Sequence, residues 1–135
     1  MARITSEQID AREVVRAVLS PACGAVLTFA GTVREEHLGR RVTAIEYHAY
    51  DSMAEKELTR IEGEVSRRWP GLRVRILHRT GLLQVGETSV FIAVASPHRA
   101  EGFEGLRYTI DTLKETVPIW KKEIYTNGHT WIEGS

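Results

Sequence analysis

The sequence is most informative at first through what it lacks. One cysteine, Cys23, in 135 residues excludes an internal disulfide framework and any cysteine-based zinc cluster. No apolar run approaches the roughly 18 residues that a membrane span requires. Residues Met1 to Thr5 have no apolar core of a signal peptide, so a cytoplasmic location is the expectation. Charge of one sign is missing as well: 18 Lys and Arg balance 18 Asp and Glu. A general nucleic-acid binder would carry a basic excess, so that class is disfavoured, and no membrane partner is expected. The five histidines show no HExxH or other close ligand spacing, so neither a metal site nor a metal cofactor is expected. P-loop, dinucleotide and GxSxG fingerprints are absent. With no Pro/Gly/Ser-rich linker and no repeat, residues 1–135 read as one domain, long enough to fold without a staple.

What is present is an alternation of helical and extended patterns. Residues 3–9 suggest a short strand. Asp10 with Glu13 looks like a capping box opening a helix, with Ala11, Val14, Val15, Val18 and Leu19 at helical spacing. Gly24 to Val33 reads as a buried strand, Arg34 to Arg41 as a charged loop, and Val42 to Tyr50 as a strand. Ser52 and Glu55 suggest a second capping box. The stripe Ala54, Leu58, Ile61, Val65, Trp69 then marks a long helix ended by Pro70-Gly71. Leu72 to Arg79 alternates as a half-exposed strand, and Gly81 to Gly86 brackets a short extended piece. Ser89 to Ser96 is apolar enough for a central strand. Ser96-Pro97 opens a third helix with Phe103, Leu106, Ile110, Leu113 and Val117 inward. Asn127-Gly128 joins a final hairpin. The expected class is α+β, with three helices and a mainly antiparallel sheet.

Three clusters could carry chemistry. Ser96-Pro97-His98-Arg99 lies where a strand ends and a helix begins, where free N–H groups, an imidazole and a guanidinium favour an anion. A capped helix with two exposed polar residues explains that segment at least as well. In KETVPIWKKE (114–123), Lys114 flanks the apolar stripe. Partial desolvation would lower its pKa and make it a base or nucleophile. Lys121 and Lys122 must point to opposite faces of a strand, so one of them can join a given site. Solvated lysines paired with Glu115 or Glu123 are the plainer reading. Phe29 to Arg34 delivers an arginine to the mouth of a glycine-containing loop. Gly102 and Gly105 inside a helix suggest close packing. Cys23 reads as a structural thiol.

Taken in order, GAVLTFAGTVR (24–34), YDSMAEK (50–56), RWPGLRVRILHRTGLLQVGE (68–87), SPHRAEGFEG (96–105) and LKETVPIWKKE (113–123) resemble the large, catalytic subunit of molybdopterin synthase, the MoaE family. The resemblance covers roughly residues 3–133. It implies an α/β-hammerhead-like fold with an additional small antiparallel β-subdomain. It implies an enzyme of molybdenum cofactor biosynthesis, a sulfurtransferase subunit that converts cyclic pyranopterin monophosphate to molybdopterin. The sulfur would come from the C-terminal Gly-Gly thiocarboxylate of a small ubiquitin-like subunit. Two copies of the large subunit would pair at the centre of a heterotetramer, and no cofactor is implied. Matched residue by residue, Lys114 and Lys121 fall at the catalytic lysines. Arg34, His98 and Arg99 fall in the substrate pocket, Phe29 at its wall, and Glu123 at an acidic position nearby. Lys114 would orient and polarise the thiocarboxylate, and Lys121 would move protons. Where some relatives bring an arginine from the paired subunit, this chain has Ser135, which makes Arg40 or Arg41 the candidate to compensate. The competing expectations are a non-catalytic module that binds a pterin or a ubiquitin-like tail, and a purely structural scaffold.

Overall fold

The computed structural model describes residues 2–133. These form three helices and nine strands in two sheets. The first sheet has the order β1-β5-β7-β2, built from β1 (Ile4–Thr5), β5 (Arg73–Arg79), β7 (Thr88–Ser96) and β2 (Ala25–Thr32). β1 runs parallel to β5, and the other pairings are antiparallel. The second sheet places β4 (Arg40–Ala49) between its partners β3 (Glu36–His37), β6 (Gly81–Gln84) and β8 (Ile119–Tyr125). β9 (Gly128–Glu133) lies beyond β8. The class is α+β as expected.

β7 is apolar along its whole length because it is covered on both faces. Helices α2 (Asp51–Arg68) and α3 (Arg99–Thr116) lie on one face, with Leu58, Ile61 and Leu113 packed in one core with Ile76, Ile92 and Val94 of the sheet. Helix α1 (Ala11–Arg16) covers the other with Val14 and Val18 against Leu77, Phe91, Ala93 and Ala95. β5 is therefore more buried than its alternating arginines suggest. Arg73 turns its guanidinium onto the carbonyls of Val18 and Ala17 and so caps the end of α1.

Several local expectations give way to long-range partners. The strand at 24–33 is an edge strand, not a buried one. Its residues alternate between half-buried and exposed, and Val26 stands in solvent. Asp10 caps α1 through the Arg12 N–H, but the helix is short and Leu19 is exposed. Ser52 does not cap α2, whose N-cap is Tyr50. Glu55 instead accepts the backbone N–H groups of Arg3 and Ile4 and so holds β1. Glu62, buried, ion-pairs with Arg3 and accepts the Ile76 N–H. Ser96 does not cap α3 either. The N-cap is His98, and the Ser96 hydroxyl donates to the His98 carbonyl. Phe103 is exposed. The inward stripe of α3 is Gly102, Gly105, Thr109, Ile110 and Leu113. The final turn centres on Thr126 and Asn127, with Gly128 already paired to Tyr125 at a φ of 113°. The charged loop at 34–41 is a tight hairpin about Leu38 and Gly39, both at positive φ.

Candidate functional site

Strand β8 presents Ile119, Lys121, Glu123 and Tyr125 on one face because side chains alternate along a strand. That face looks into the molecule, so Lys121 is the lysine turned inward. Lys122 lies on the opposite face, its ammonium 5.5 Å from the Trp131 ring centre. Glu123 is buried, and a buried carboxylate requires donors. Its Oε1 accepts the Tyr125 hydroxyl at 2.7 Å, and its Oε2 lies 3.8 Å from Lys121 Nζ.

Lys114 approaches the same region from the last turn of α3. Burial lowers its pKa, and the positive charge of Lys121 lowers it further. Beside it His78 is fully enclosed. Burial brings the His78 pKa down to about 4, against the raising effect of its hydrogen bond to the Arg79 carbonyl, and the charge of Lys114 pushes it further down. Nδ1 lies 2.9 Å from that carbonyl, which can only accept, so Nδ1 carries the proton. Nε2 is then a bare acceptor with no hydrogen-bond partner among the described residues. The ring meets Tyr47 edge-on at 5.3 Å. The Tyr47 phenol has its pKa raised by burial, eased by a hydrogen bond with Ser89 and raised again by the Glu123 charge.

A cavity of about 850 Å³ opens beside this cluster, between the end of α3 and strands β8 and β9. Lys114 lines it, with Val117, Pro118, Tyr50, Trp120 and Trp131 as apolar and aromatic walls. Tyr50 packs on Trp120 at 5.0 Å, and His48 stacks on Trp120 at 6.1 Å. Glu115 and Thr116 also line the cleft, so its walls are part apolar and part polar, and the Lys114 amine of lowered pKa is the group in it that can hold the anionic end of a small or extended ligand.

Not all the sequence-selected residues meet here. Lys114, Lys121 and Glu123 cluster together. β2 and β7 are antiparallel with Thr32 beside Thr88 and Ala25 beside Ser96. Arg34 therefore follows β2 at the end of the sheet where Val90 pairs with His78, the end that Lys114 approaches. His98 and Arg99 sit at the other end, exposed, where α3 begins. Along the helix Arg99 and Lys114 are about 22 Å apart. Phe29 is half-buried in mid-strand, opposite Ile92, and packs on the main core. Arg34 is exposed, with its guanidinium 3.5 Å from His37 Nδ1. Arg40 is committed elsewhere, over the Tyr125 ring at 3.7 Å and on the Asn127 carbonyl. Arg41 faces Glu35 at 3.9 Å in solvent. Ser135 lies outside the described residues.

Sequence reasoning passed over His78, Tyr47 and Tyr125. For Tyr125 a signal existed, since it shares the two-residue period of Lys121 and Glu123. For His78 there was none, because its neighbours come from β4 and α3.

Comparison with known proteins places these features in context. The family model described as MoaE protein matches residues 4–116. The molybdopterin synthase catalytic subunit of Taeniopygia guttata is 47% identical over 132 residues, covering 97% of this chain and 85% of the relative. That of Halalkalibacterium halodurans is 46% identical, covering 96% and 83%. The crystal structure of molybdopterin synthase from Staphylococcus aureus superposes with a TM-score of 0.93 at 42% identity, covering 96% of this chain and 95% of that one.

Proposed function

Since the chain belongs to the MoaE family of molybdopterin synthase catalytic subunits, enzymes of molybdenum cofactor biosynthesis, we propose that it catalyses dithiolene formation on cyclic pyranopterin monophosphate together with a small subunit. The sulfur donor in this reading is the thiocarboxylate at the C-terminal Gly-Gly of a small ubiquitin-like partner. The observation that carries it is the pairing of Lys114 with the cleft at the end of α3. A glycine tail has no side chains to clash with the walls of the cleft, and its thiocarboxylate is an anion that an amine can grip. Tyr50 and Trp131, exposed in the free chain, offer apolar surface that an inserted tail would cover.

Roles follow from chemistry and position. Lys114 orients and polarises the thiocarboxylate. Lys121, loosely paired with Glu123, delivers protons as sulfur adds and the cyclic phosphate opens. Arg34 holds the anionic substrate from the end of β2, and Phe29 contributes to the wall behind it. His98 and Arg99 complete the phosphate grip. A separation of about 22 Å along one helix prevents them from serving Lys114 of their own chain. In the proposed central homodimer they serve the site of the partner subunit.

Reconstitution tests the reading. The chain is mixed with a thiocarboxylated small subunit and cyclic pyranopterin monophosphate, and the dithiolene product is quantified. Product that requires both chains is the expected result. A stable complex without product would instead indicate a binding module.

A further inference from the structure

The inward face of β8 holds a residue, Tyr125, that the roles above leave unused. Glu123 is 3% exposed, and its two oxygens are treated differently. Oε1 takes a full hydrogen bond from the Tyr125 hydroxyl at 2.7 Å. Oε2 stands 3.8 Å from Lys121 Nζ, close enough for ionic attraction but beyond hydrogen-bond reach. Tyr125 is itself braced. The Arg40 guanidinium lies 3.7 Å over its ring and reaches on to the Asn127 carbonyl. The other polar groups facing this cluster have their own engagements. Tyr47 of β4 bonds with Ser89, Thr130 of β9 bonds with Tyr125, and Lys114 of α3 adds positive charge beside Lys121.

We propose that Tyr125 is a positioning residue that acts through Glu123 on Lys121, holding the carboxylate back so that the amine stays loosely paired and free to exchange protons. Without the hydroxyl, Oε1 is a buried acceptor in need of a donor, and the Lys121 ammonium is the cation already beside it. The ion pair then closes and the amine is held. The proposal rests on the sulfurtransferase reading only for what Lys121 does with its proton. The restraint itself is a property of this chain.

The test compares the parent, Tyr125→Phe, Glu123→Gln and the double variant. The acylation rate of Lys121 by acetic anhydride is followed by peptide mass spectrometry, alongside turnover in the reconstituted complex. Tyr125→Phe is expected to slow Lys121 acylation about ten-fold, the lower end of what one hydrogen bond to a charged group contributes. It should lower kcat by a similar factor with KM unchanged and leave the circular dichroism spectrum intact. In the Glu123→Gln background the same substitution should have no further effect. Unchanged or faster acylation in Tyr125→Phe overturns the proposal, as does an equal effect in the Glu123→Gln background. If the parent complex makes no product, the sulfurtransferase reading fails, and the acylation rates still decide the role of Tyr125.

Discussion

Lys114 is placed where its charge is disfavoured. Its pKa falls on folding through burial and then through Lys121. The unfolded chain therefore binds that proton more tightly, and stability rises with pH as the unfolded value of 10.5 is approached. At neutral pH an apolar side chain of similar length should be tolerated at least as well. Lys114→Met is expected to abolish product formation, by at least about 100-fold for a group that grips the reacting anion. Its Tm should stay level or rise by about 2 °C in calorimetry. A Tm well below the parent's would contradict a desolvated amine. His78 has the same sign and a clearer window. Its folded pKa is about 4 against 6.5 unfolded, so its contribution is complete above pH 6.5 and lost as pH falls toward 4. That loss is about 3 kcal/mol. Urea midpoints at pH 7 and pH 4.5 should converge in His78→Leu relative to the parent, since carboxylate protonation is common to both chains.

Helix α3 carries Lys114 and is seated by its glycines. A Cβ on Gly102 would stand 2.5 Å from Leu27 Cδ1 and 3.2 Å from Ser96 Cβ. The leucine tip can rotate, but the serine Cβ is fixed to β7. Gly102→Ala gains about 1 kcal/mol of helix propensity and meets an overpacking cost of about 1–3 kcal/mol. A net loss of about 1 kcal/mol in urea unfolding is expected, and a more stable variant would show that α3 can lift from the sheet. These glycines were legible as packing positions in the sequence, as was β7, whereas the residues alone set Lys121 and Lys122 on opposite faces without saying which of them turns inward. Composition and a two-residue period report burial directly. The elements misread are those decided by distant partners. Glu55 has the spacing of a capping box, yet residues more than 50 positions away recruit it. The run at 24–33 has a buried composition, yet the strand order puts it at an edge. Ser96-Pro97 has the pattern of a cap, yet the chain stays extended through His98 before α3 begins.

At the scale of the molecule, the two ends of α3 set the geometry of the proposed reaction. The pair His98 and Arg99 and the amine Lys114 are separated by the length of a helix rigidly packed on the sheet. No rotamer change closes about 22 Å. A single chain therefore offers two half-sites, and a two-fold dimer can bring the start of one α3 to the end of the other. This predicts complementation between inactive partners. Lys114→Ala and Arg99→Ala should each abolish activity as homodimers. Unfolded and refolded together, half of the dimers are mixed, and each mixed dimer has one site with both defects and one with neither. About a quarter of parental activity should return, measured as dithiolene product at equal protein concentration. If each site were complete within one chain, every site in the mixture would carry one defect and no activity would return. The recovered fraction separates these arrangements without a structure of the assembly, and its absence would move His98 and Arg99 out of the site that Lys114 serves.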